Sequence, residues 1–320
     1  MAFLQTSCHV LSLLTTPVNL FGTYCIITKS NSNMSTIRNT LLQNHLWASL
    51  SDLVYGFLVI PYATFPISGA IVTSTLTWLG VPEPAQIYLI TLVISGYGAS
   101  VVMVFENRQN HVVPVSKFKI ESKITRRLFY FLNYVYVFGM PMCMFISTPD
   151  QEEAKVKMFE RVPCPSIEFF SDHLYILSNS IIVGFVQLGS TTIIIVLTLF
   201  YVLHCFIYLF SVKTISRRTR QLQIKFFLCV AIQVSVPFVV CACPFLYFIF
   251  ATFFNYYNQV VLNFSIIALS LQGYSSTCFM LLIYEPYRNF VFSFLPLHRI
   301  PLFKAATVSV VSEPTLSRTK

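Results

Sequence analysis

Apolar residues along this chain form seven runs, each long enough to cross a membrane as a helix, and charged residues fall mainly between the runs. A hydrocarbon layer about 30 Å thick requires roughly 20 apolar residues at the rise of an α-helix. The predicted spans are residues 8–28, 42–67, 85–105, 128–147, 184–212, 226–251 and 259–283.

Two apolar stretches do not fit one crossing each. Little charge interrupts the chain from Leu174 to Val212, which is too long for a single span. We assign its first part to an extracellular approach to the fifth span. Residues 68–84 are also apolar, but their short length, glycines and prolines predict a loop.

Composition strengthens the membrane assignment. Hydrophobic residues make up 55% of the 320 residues and charged residues only 10%, and the mean hydropathy is +0.69. A soluble chain of this length buries an adequate core at ordinary composition, so the surplus apolar surface must face lipid. Since helices satisfy the backbone within lipid, we predict an all-α membrane protein, a seven-transmembrane helix bundle.

Cations indicate the topology, because Lys and Arg near span ends are retained on the cytosolic side. All but three of the 21 Lys and Arg residues lie at one set of span ends, whereas the loop between spans four and five is acidic. We therefore place the N-terminus outside and the C-terminus in the cytosol. Residues 1–295 are the predicted membrane domain, and residues 296–320 are a cytosolic tail that we expect to be disordered.

Several function classes are disfavoured. The net charge of +9 is spread over short loops rather than along one groove, which argues against nucleic-acid binding. Neither a Gly-x-Ser-x-Gly elbow nor a His-Glu-x-x-His site is present, so we expect no enzyme, no metal and no cofactor. A single clear intramembrane acid, Asp52, also argues against an ion-coupled transporter.

A polar cluster is expected to join spans one, two and seven. Asp52 lies ten residues into the second span, where a charge is costly without partners. Asn19 in the first span and Ser275 and Ser276 in the seventh have a similar depth. This cluster would either hold the helices together or rearrange during function, and the two roles are compatible.

Two features mark the cytosolic half. Pro237 lies inside the sixth span, where a proline removes a helical hydrogen bond and introduces either a working hinge or a merely structural kink. Glu106 and Arg108 end the third span. They would form a switch, or they would simply extend to the membrane interface.

An ordered series of motifs runs through the chain: "FGTYCI" (21–26), "WLGVP" (78–82), "FENR" (105–108), "PDQE" (149–152), "VPCP" (162–165), "SRRTRQLQIKFF" (216–227), "FNYYNQ" (254–259) and "EPYRNF" (285–290). With these motifs the chain resembles nematode serpentine chemoreceptors of class H. Two departures stand out: Gln272-Gly273 replaces a frequent His-Gly, and the ending "YEPYR" (284–288) replaces a frequent His-x-Pro-Tyr-Arg.

The resemblance implies a multi-pass G-protein-coupled chemosensory receptor in the cell membrane of a sensory-neuron cilium, with a small-molecule ligand and a heterotrimeric G protein as partners. A channel or transporter subunit with receptor-like topology is the alternative. The implied signalling switch comprises Glu106, Arg108, Pro237, Pro286, Tyr287 and Arg288. The implied G-protein contacts are Arg217, Arg218, Arg220 and Lys225.

The ligand is expected between the outer halves of the spans, in an apolar pocket with few polar anchors. The candidate residues are Tyr88, Tyr97, Tyr175, Gln187, Tyr247, Phe253 and Gln272. Membrane aromatics also serve as packing residues and interfacial anchors, which is the competing interpretation.

Two cysteines lie toward the oxidising side, Cys8 at the outer end of span one and Cys164 in the acidic loop. A disulfide persists only on that side of the membrane. They either form a disulfide or remain two free thiols.

Overall fold

The structure is a computed structural model that describes residues 1–30, 34–72, 74–113, 116, 118–145, 148–161, 167–178, 181–211 and 217–294. Its described part consists mainly of α-helices, so the predicted helical fold class is confirmed. The tail at residues 296–320, for which disorder is predicted, lies outside the described residues.

The helices follow one another along the chain with short connections. They are α1 (Ala2–Thr28), α2 (Ser35–Leu53), α3 (Thr75–Trp78), α4 (Glu83–Val112), α5 (Lys123–Phe145), α6 (Gln151–Arg161), α7 (Ile181–Ser211), α8 (Arg217–Phe254), α9 (Gln259–Leu269), α10 (Gln272–Ile283) and α11 (Glu285–Phe294). A π-helical turn, Val54–Leu58, continues α2, and a 3₁₀ turn, Ile167–Phe170, follows α6.

Four of the described helices are long and apolar enough to cross a membrane: α1, α4, and the segments Val183–Ser211 of α7 and Phe227–Phe254 of α8. The pair α9 and α10 passes the same test together, with a bend of 41° between its halves. These helices coincide with predicted spans one, three, five, six and seven. Helices α2 and α5 overlap predicted spans two and four.

Helix α4 is the centre of the bundle. It packs against α2, α5 and α7, while α10 packs against α1, α2 and α8. From Val101 to Gln109, every residue of α4 is buried. A helix that is buried all round is enclosed by protein rather than by lipid or water, so polar residues on the inner half of α4 face other helices.

A small antiparallel sheet covers one end of the bundle, the end that the cation distribution predicts to be outer; it is called the outer end below, and the opposite end the inner end. Its strands are β1 (Pro61–Ala63), β2 (Ser68–Val72) and β3 (Leu174–Ser178), in the order β1-β2-β3. The first two strands come from the connection between α2 and α4, and the third precedes α7. Gln151, at the start of α6, binds the free edge of β3. Its side-chain amide donates to the carbonyl of Ile176 at 3.0 Å and accepts from the N–H of the same residue at 2.9 Å, as a neighbouring strand would.

The sheet corrects two boundaries drawn from the sequence. The second span was predicted to continue to residue 67, but its helix ends at Leu58 and β1 follows. Proline at position 61 disfavours helical geometry at the preceding residue, and Ile60 takes a left-handed φ of 42°. The segment 68–84, predicted as a loop, contains β2 and α3. Apolar residues continue through this turn, so hydropathy alone does not reveal it.

Besides α3, two described helices lie outside the predicted spans. Helix α6 occupies the acidic loop, and Asp150 caps its start by accepting hydrogen bonds of 3.1 Å from the backbone of Glu152 and Glu153. Helix α11 directly follows the seventh span and buries Tyr287. Its length of 10 residues is too short for a crossing, so it lies beside the end of the bundle.

Candidate functional site

The inner end of α4 carries a buried carboxylate with a dense set of partners. Glu106 is 0% exposed, and Arg126 of α5 binds both of its oxygens, with Nε–Oε1 at 3.1 Å and Nη2–Oε2 at 3.2 Å. The hydroxyl of Tyr130 donates to Oε2 at 2.8 Å. Arg126 also donates to Asn107 Oδ1 at 2.6 Å. Charge-assisted bonds of this kind are roughly twice as strong as neutral ones, so Glu106 ties α4 to α5.

Glu106 is paired with Arg126 of α5, and the switch role predicted for Glu106 and Arg108 stays a prediction. Residues two apart on a helix point to opposite sides, which separates the two side chains. Arg108 is 8% exposed and lies within electrostatic range of Cys205 of α7, Cys229 of α8 and Tyr284 after α10. Arg108 therefore lies among the ends of α7, α8 and α10.

The other residues of the predicted switch surround this end of the bundle. Pro237 lies inside α8. Pro286 is in the first turn of α11, and the buried Tyr287 shares a 2.8 Å hydrogen bond with Ser30 after α1. Arg288 donates to the carbonyl of Leu282 at 3.4 Å. These contacts dock α11 onto the inner ends of α1 and α10.

The predicted G-protein contacts lie along the start of α8. Arg220 is half-buried there. The side chains of the other three, Arg217, Arg218 and Lys225, lie outside the described part of the structure.

A second buried polar site joins α1, α2 and the bend of the seventh span. Asp52 Oδ2 accepts a 2.9 Å hydrogen bond from Asn19 Nδ2. Its two oxygens also accept the backbone N–H groups of Gly273 and Tyr274, each at 2.6 Å. Those N–H groups belong to the first turn of α10, where backbone N–H groups have no acceptor within their own helix. Asp52 therefore caps α10 from another helix, at the point where the seventh span is bent by 41°.

The polar core contains residues that the sequence interpretation missed. Thr277 donates to Asn19 Oδ1 at 2.7 Å, and His45 lies 3.0 Å from the Asn19 carbonyl. His45 precedes Asp52 by two helical turns, so periodicity places the two on one face of α2. That periodicity is the signal that would have found it.

The two predicted serines contribute differently. Ser275 donates to the carbonyl of Gln272 at 2.8 Å, within α10. Ser276 is buried. The seventh span reaches Asp52 through backbone N–H groups, which a sequence pattern does not show.

An apolar cavity of about 110 Å³ lies beneath the outer sheet. Strands β1, β2 and β3 line its outer side, and α4, α7, α8, α9 and the π-turn after α2 line the rest. Two phenylalanines of α8, Phe245 and Phe248, form one wall. The cavity is thus shared by the outer ends of several predicted spans and the sheet above them.

Of the predicted ligand-binding residues, Gln187 lines this cavity. Tyr97 and Gln272 are buried deeper, at the level of the polar core. The remaining four pack elsewhere at the outer end: Tyr88 donates to Phe138, Tyr247 donates to Asn258, Tyr175 contacts Phe145 and Phe253 contacts Phe185. Most of the cavity wall comes from other apolar residues, among them Phe245 and Phe248, that the interpretation did not single out.

Comparison with known proteins decides the family. Residues 1–297 match the model of the serpentine-type seven-transmembrane GPCR chemoreceptor family Srh. The chain belongs to this family. The class H resemblance drawn from the sequence motifs is confirmed.

A curated Srh relative supports the same conclusion. The chain is 25% identical over 289 residues to serpentine receptor class H-72 of Caenorhabditis elegans, covering 89% of this chain and 83% of the relative. As an Srh member, the chain is a multi-pass membrane receptor of seven transmembrane spans. Srh is a family of receptors, which confirms the prediction that the chain is not an enzyme.

The predicted disulfide stays a prediction for this Srh chain. Cys8 is a buried residue of α1. Its suggested partner, Cys164, lies outside the described residues.

Proposed function

We propose that this Srh receptor binds a small molecule in the outer cavity and in response activates a heterotrimeric G protein at its cytosolic face. The observation that carries the proposal is the placement of Arg108, a cation buried at the inner end of the central helix, beside α7, α8 and Tyr284. A guanidinium stays charged and can exchange partners without changing protonation. Separation of those helix ends would expose it to a cytosolic partner.

Helix α8 provides a direct connection between the two sites. Its outer half supplies Phe245 and Phe248 to the cavity, and its inner half places Cys229 near Arg108. Pro237 lies between these points. A ligand that shifts the outer half would move the inner half about this proline, which is a hinge-type change. Such movement favours an active state only if the ligand binds that state more tightly.

The basic start of α8 completes the proposed G-protein surface. Arg217, Arg218, Arg220 and Lys225 precede the apolar part of the helix. In the active state these cations and Arg108 would border one cleft that accepts a G-protein α subunit. Complementary charge accelerates such association and fixes its orientation.

Glu106→Gln is expected to raise basal signalling, because a neutral amide cannot form the ion pair that ties α4 to α5. A loss of about 1–2 kcal/mol from the resting state raises the ratio of active to resting receptor roughly 5- to 30-fold. The measurement is ligand-independent second-messenger production at matched surface expression. Glu121→Gln makes the same chemical change at an exposed position of the loop before α5 and should leave the basal signal unchanged. Equal basal signals from the two variants would contradict the role given to Glu106.

The proposed coupling is tested in cells that express the full chain with and without a co-expressed G protein. A panel of small molecules is applied, and calcium or cAMP is recorded. We expect a response that requires the G protein. A response carried by current through the chain itself, and independent of the G protein, would instead establish the channel alternative.

The proposed topology places the N-terminus outside and the C-terminus in the cytosol. The proposed compartment is a sensory-neuron cilium. The distribution of cations between the span ends supports the orientation. An N-terminal epitope tag should be accessible on intact cells, and a C-terminal tag only after permeabilisation. The same tags, imaged in a ciliated sensory neuron, report the proposed compartment.

A further inference from the structure

The walls of the outer cavity contain no formal charge. No Asp, Glu, Lys, Arg or His is among the described residues that line it. A charge moved from water into such a site, without a partner, costs far more than the contacts of a small ligand return. Ammonium and carboxylate ligands are therefore disfavoured by the chemistry of the walls.

The cavity is also small. A volume of about 110 Å³ is somewhat less than the 150 Å³ of an engineered apolar cavity that takes up benzene. Drug-sized ligands occupy sites of roughly 300–1,000 Å³. The space beneath the sheet therefore suits a compact molecule of about one six-membered ring.

Among the described residues of the wall, the side chains of Tyr55, Ser68 and Gln187 have hydrogen-bonding capacity to spare, and Gln187 is the amide of the three. The structure gives the side-chain amide of Gln187 no hydrogen-bond partner among the described residues, and this residue lines the cavity. Thr91, also in the wall, already donates its hydroxyl to the carbonyls of Ile87 and Tyr88 at 3.1 and 2.9 Å. An amide donates as well as accepts, so Gln187 would satisfy a single carbonyl or hydroxyl on a ligand.

We propose that the ligand class of this cavity is a neutral, compact, mainly apolar molecule of about one ring, with one carbonyl or hydroxyl group bound by Gln187. The signalling role of this ligand rests on the proposed function. The claim about which molecules bind does not, because binding is measured separately from signalling.

The test uses the purified full-length receptor in lipid nanodiscs and ligands matched in shape. Cyclohexanone, methylcyclohexane, cyclohexylammonium and cyclohexanecarboxylate differ in polarity and charge on one ring, and cyclododecanone tests size. Kd is measured by ligand-observed NMR, with empty nanodiscs as the baseline for partition into lipid, and Ile94→Phe is the variant that blocks the cavity. Ile94 lines the cavity, so the larger ring fills the space.

We expect cyclohexanone to bind at least tenfold more tightly than the two ions and than cyclododecanone. Ile94→Phe should weaken cyclohexanone binding at least tenfold. Ile193→Phe, the same change on the lipid-facing side of α7 where the side chain is 59% exposed, should leave it unchanged. Gln187→Leu should weaken cyclohexanone about 3- to 10-fold, the value of one hydrogen bond, and leave methylcyclohexane unaffected.

Equal binding of the ions, or cyclohexanone binding that survives Ile94→Phe, would overturn the inference. So would a Gln187→Leu effect of the same size on the hydrocarbon, since a general packing defect affects both ligands. Binding as expected without any G-protein response would leave the ligand class standing and refute the proposed function. The two claims therefore fail separately.

Discussion

Arg108→Ala is expected to abolish ligand-evoked signalling, with at least a tenfold fall in the maximal response, while surface expression and ligand binding persist. The guanidinium is buried at the junction of four inner helix ends in the present structure, and we propose that it meets the G protein when those ends separate. Truncation removes the charge that would make this contact. Glu106 keeps its pair with Arg126, so that carboxylate is not left unpaired.

Surface labelling and a dose–response curve in one cell population measure the effect of Arg108→Ala. Arg127→Ala removes an exposed cation of α5 and serves as the matched control. Arg108→Lys keeps the charge but loses the planar fork, so an intermediate response is expected. Normal signalling by Arg108→Ala at matched surface levels would show that the arginine merely extends to the membrane interface.

Asp52→Asn is expected to destabilise the receptor strongly, through the bend of the seventh span. The carboxylate accepts hydrogen bonds from Asn19 and from two backbone N–H groups of α10. An amide has one acceptor oxygen, and its NH₂ group would face another donor. At least one buried N–H then loses its partner, at a cost of about 1–3 kcal/mol, which lowers Tm by several degrees and surface expression several-fold.

Thermal unfolding of the receptor in detergent measures the loss caused by Asp52→Asn. Gly273→Ala should produce a comparable loss by a different route, because a Cβ there would collide with the Ala48 carbonyl and the Asp52 carboxylate. Asp172→Asn, at an exposed position of the acidic loop, is the control. An Asp52→Asn receptor as stable as this control would refute the capping role.

Hydropathy predicted the helices that face lipid, but it gave wrong helix ends where an apolar segment is not helical. The predicted spans 8–28 and 184–212 lie within or nearly coincide with α1 and α7, because lipid exposure requires an apolar run of that length. The second span was drawn too far, since the residues after Leu58 remain apolar in the sheet. Protein-buried strands and lipid-facing helices use similar residues, so composition does not separate them.

The polar core was predictable because a buried polar side chain can bond only to groups at a similar depth in the neighbouring spans. Asp52 and Asn19 were brought together by counting residues from the span ends, and they are hydrogen-bonded in the structure. Glu106 pairs with Arg126 of another helix, a contact that the sequence interpretation does not contain. Glu106 and Arg108 are close along the chain, but helical periodicity points their side chains to opposite sides of α4.

The cavity was the least predictable part. The sequence placed a ligand among seven outer residues, five of them aromatic, but of these candidates only Gln187 lies in the wall. Which face of a helix points inward depends on its rotation and on the sheet above it. The sheet pairs strands from two distant connections, for example Ala70 with Tyr175, and a single hydropathy profile contains no trace of that pairing.

The most direct test of the account is nucleotide exchange by a heterotrimeric G protein on the purified receptor in nanodiscs. Exchange is followed with a panel of small neutral molecules, cyclohexanone included, and membrane current is recorded from the same purified receptor in a planar lipid bilayer. The account predicts that a member of the panel accelerates exchange several-fold on the wild type, has no such effect on Arg108→Ala, and evokes no current. Ligand-evoked current with no acceleration of exchange would contradict it.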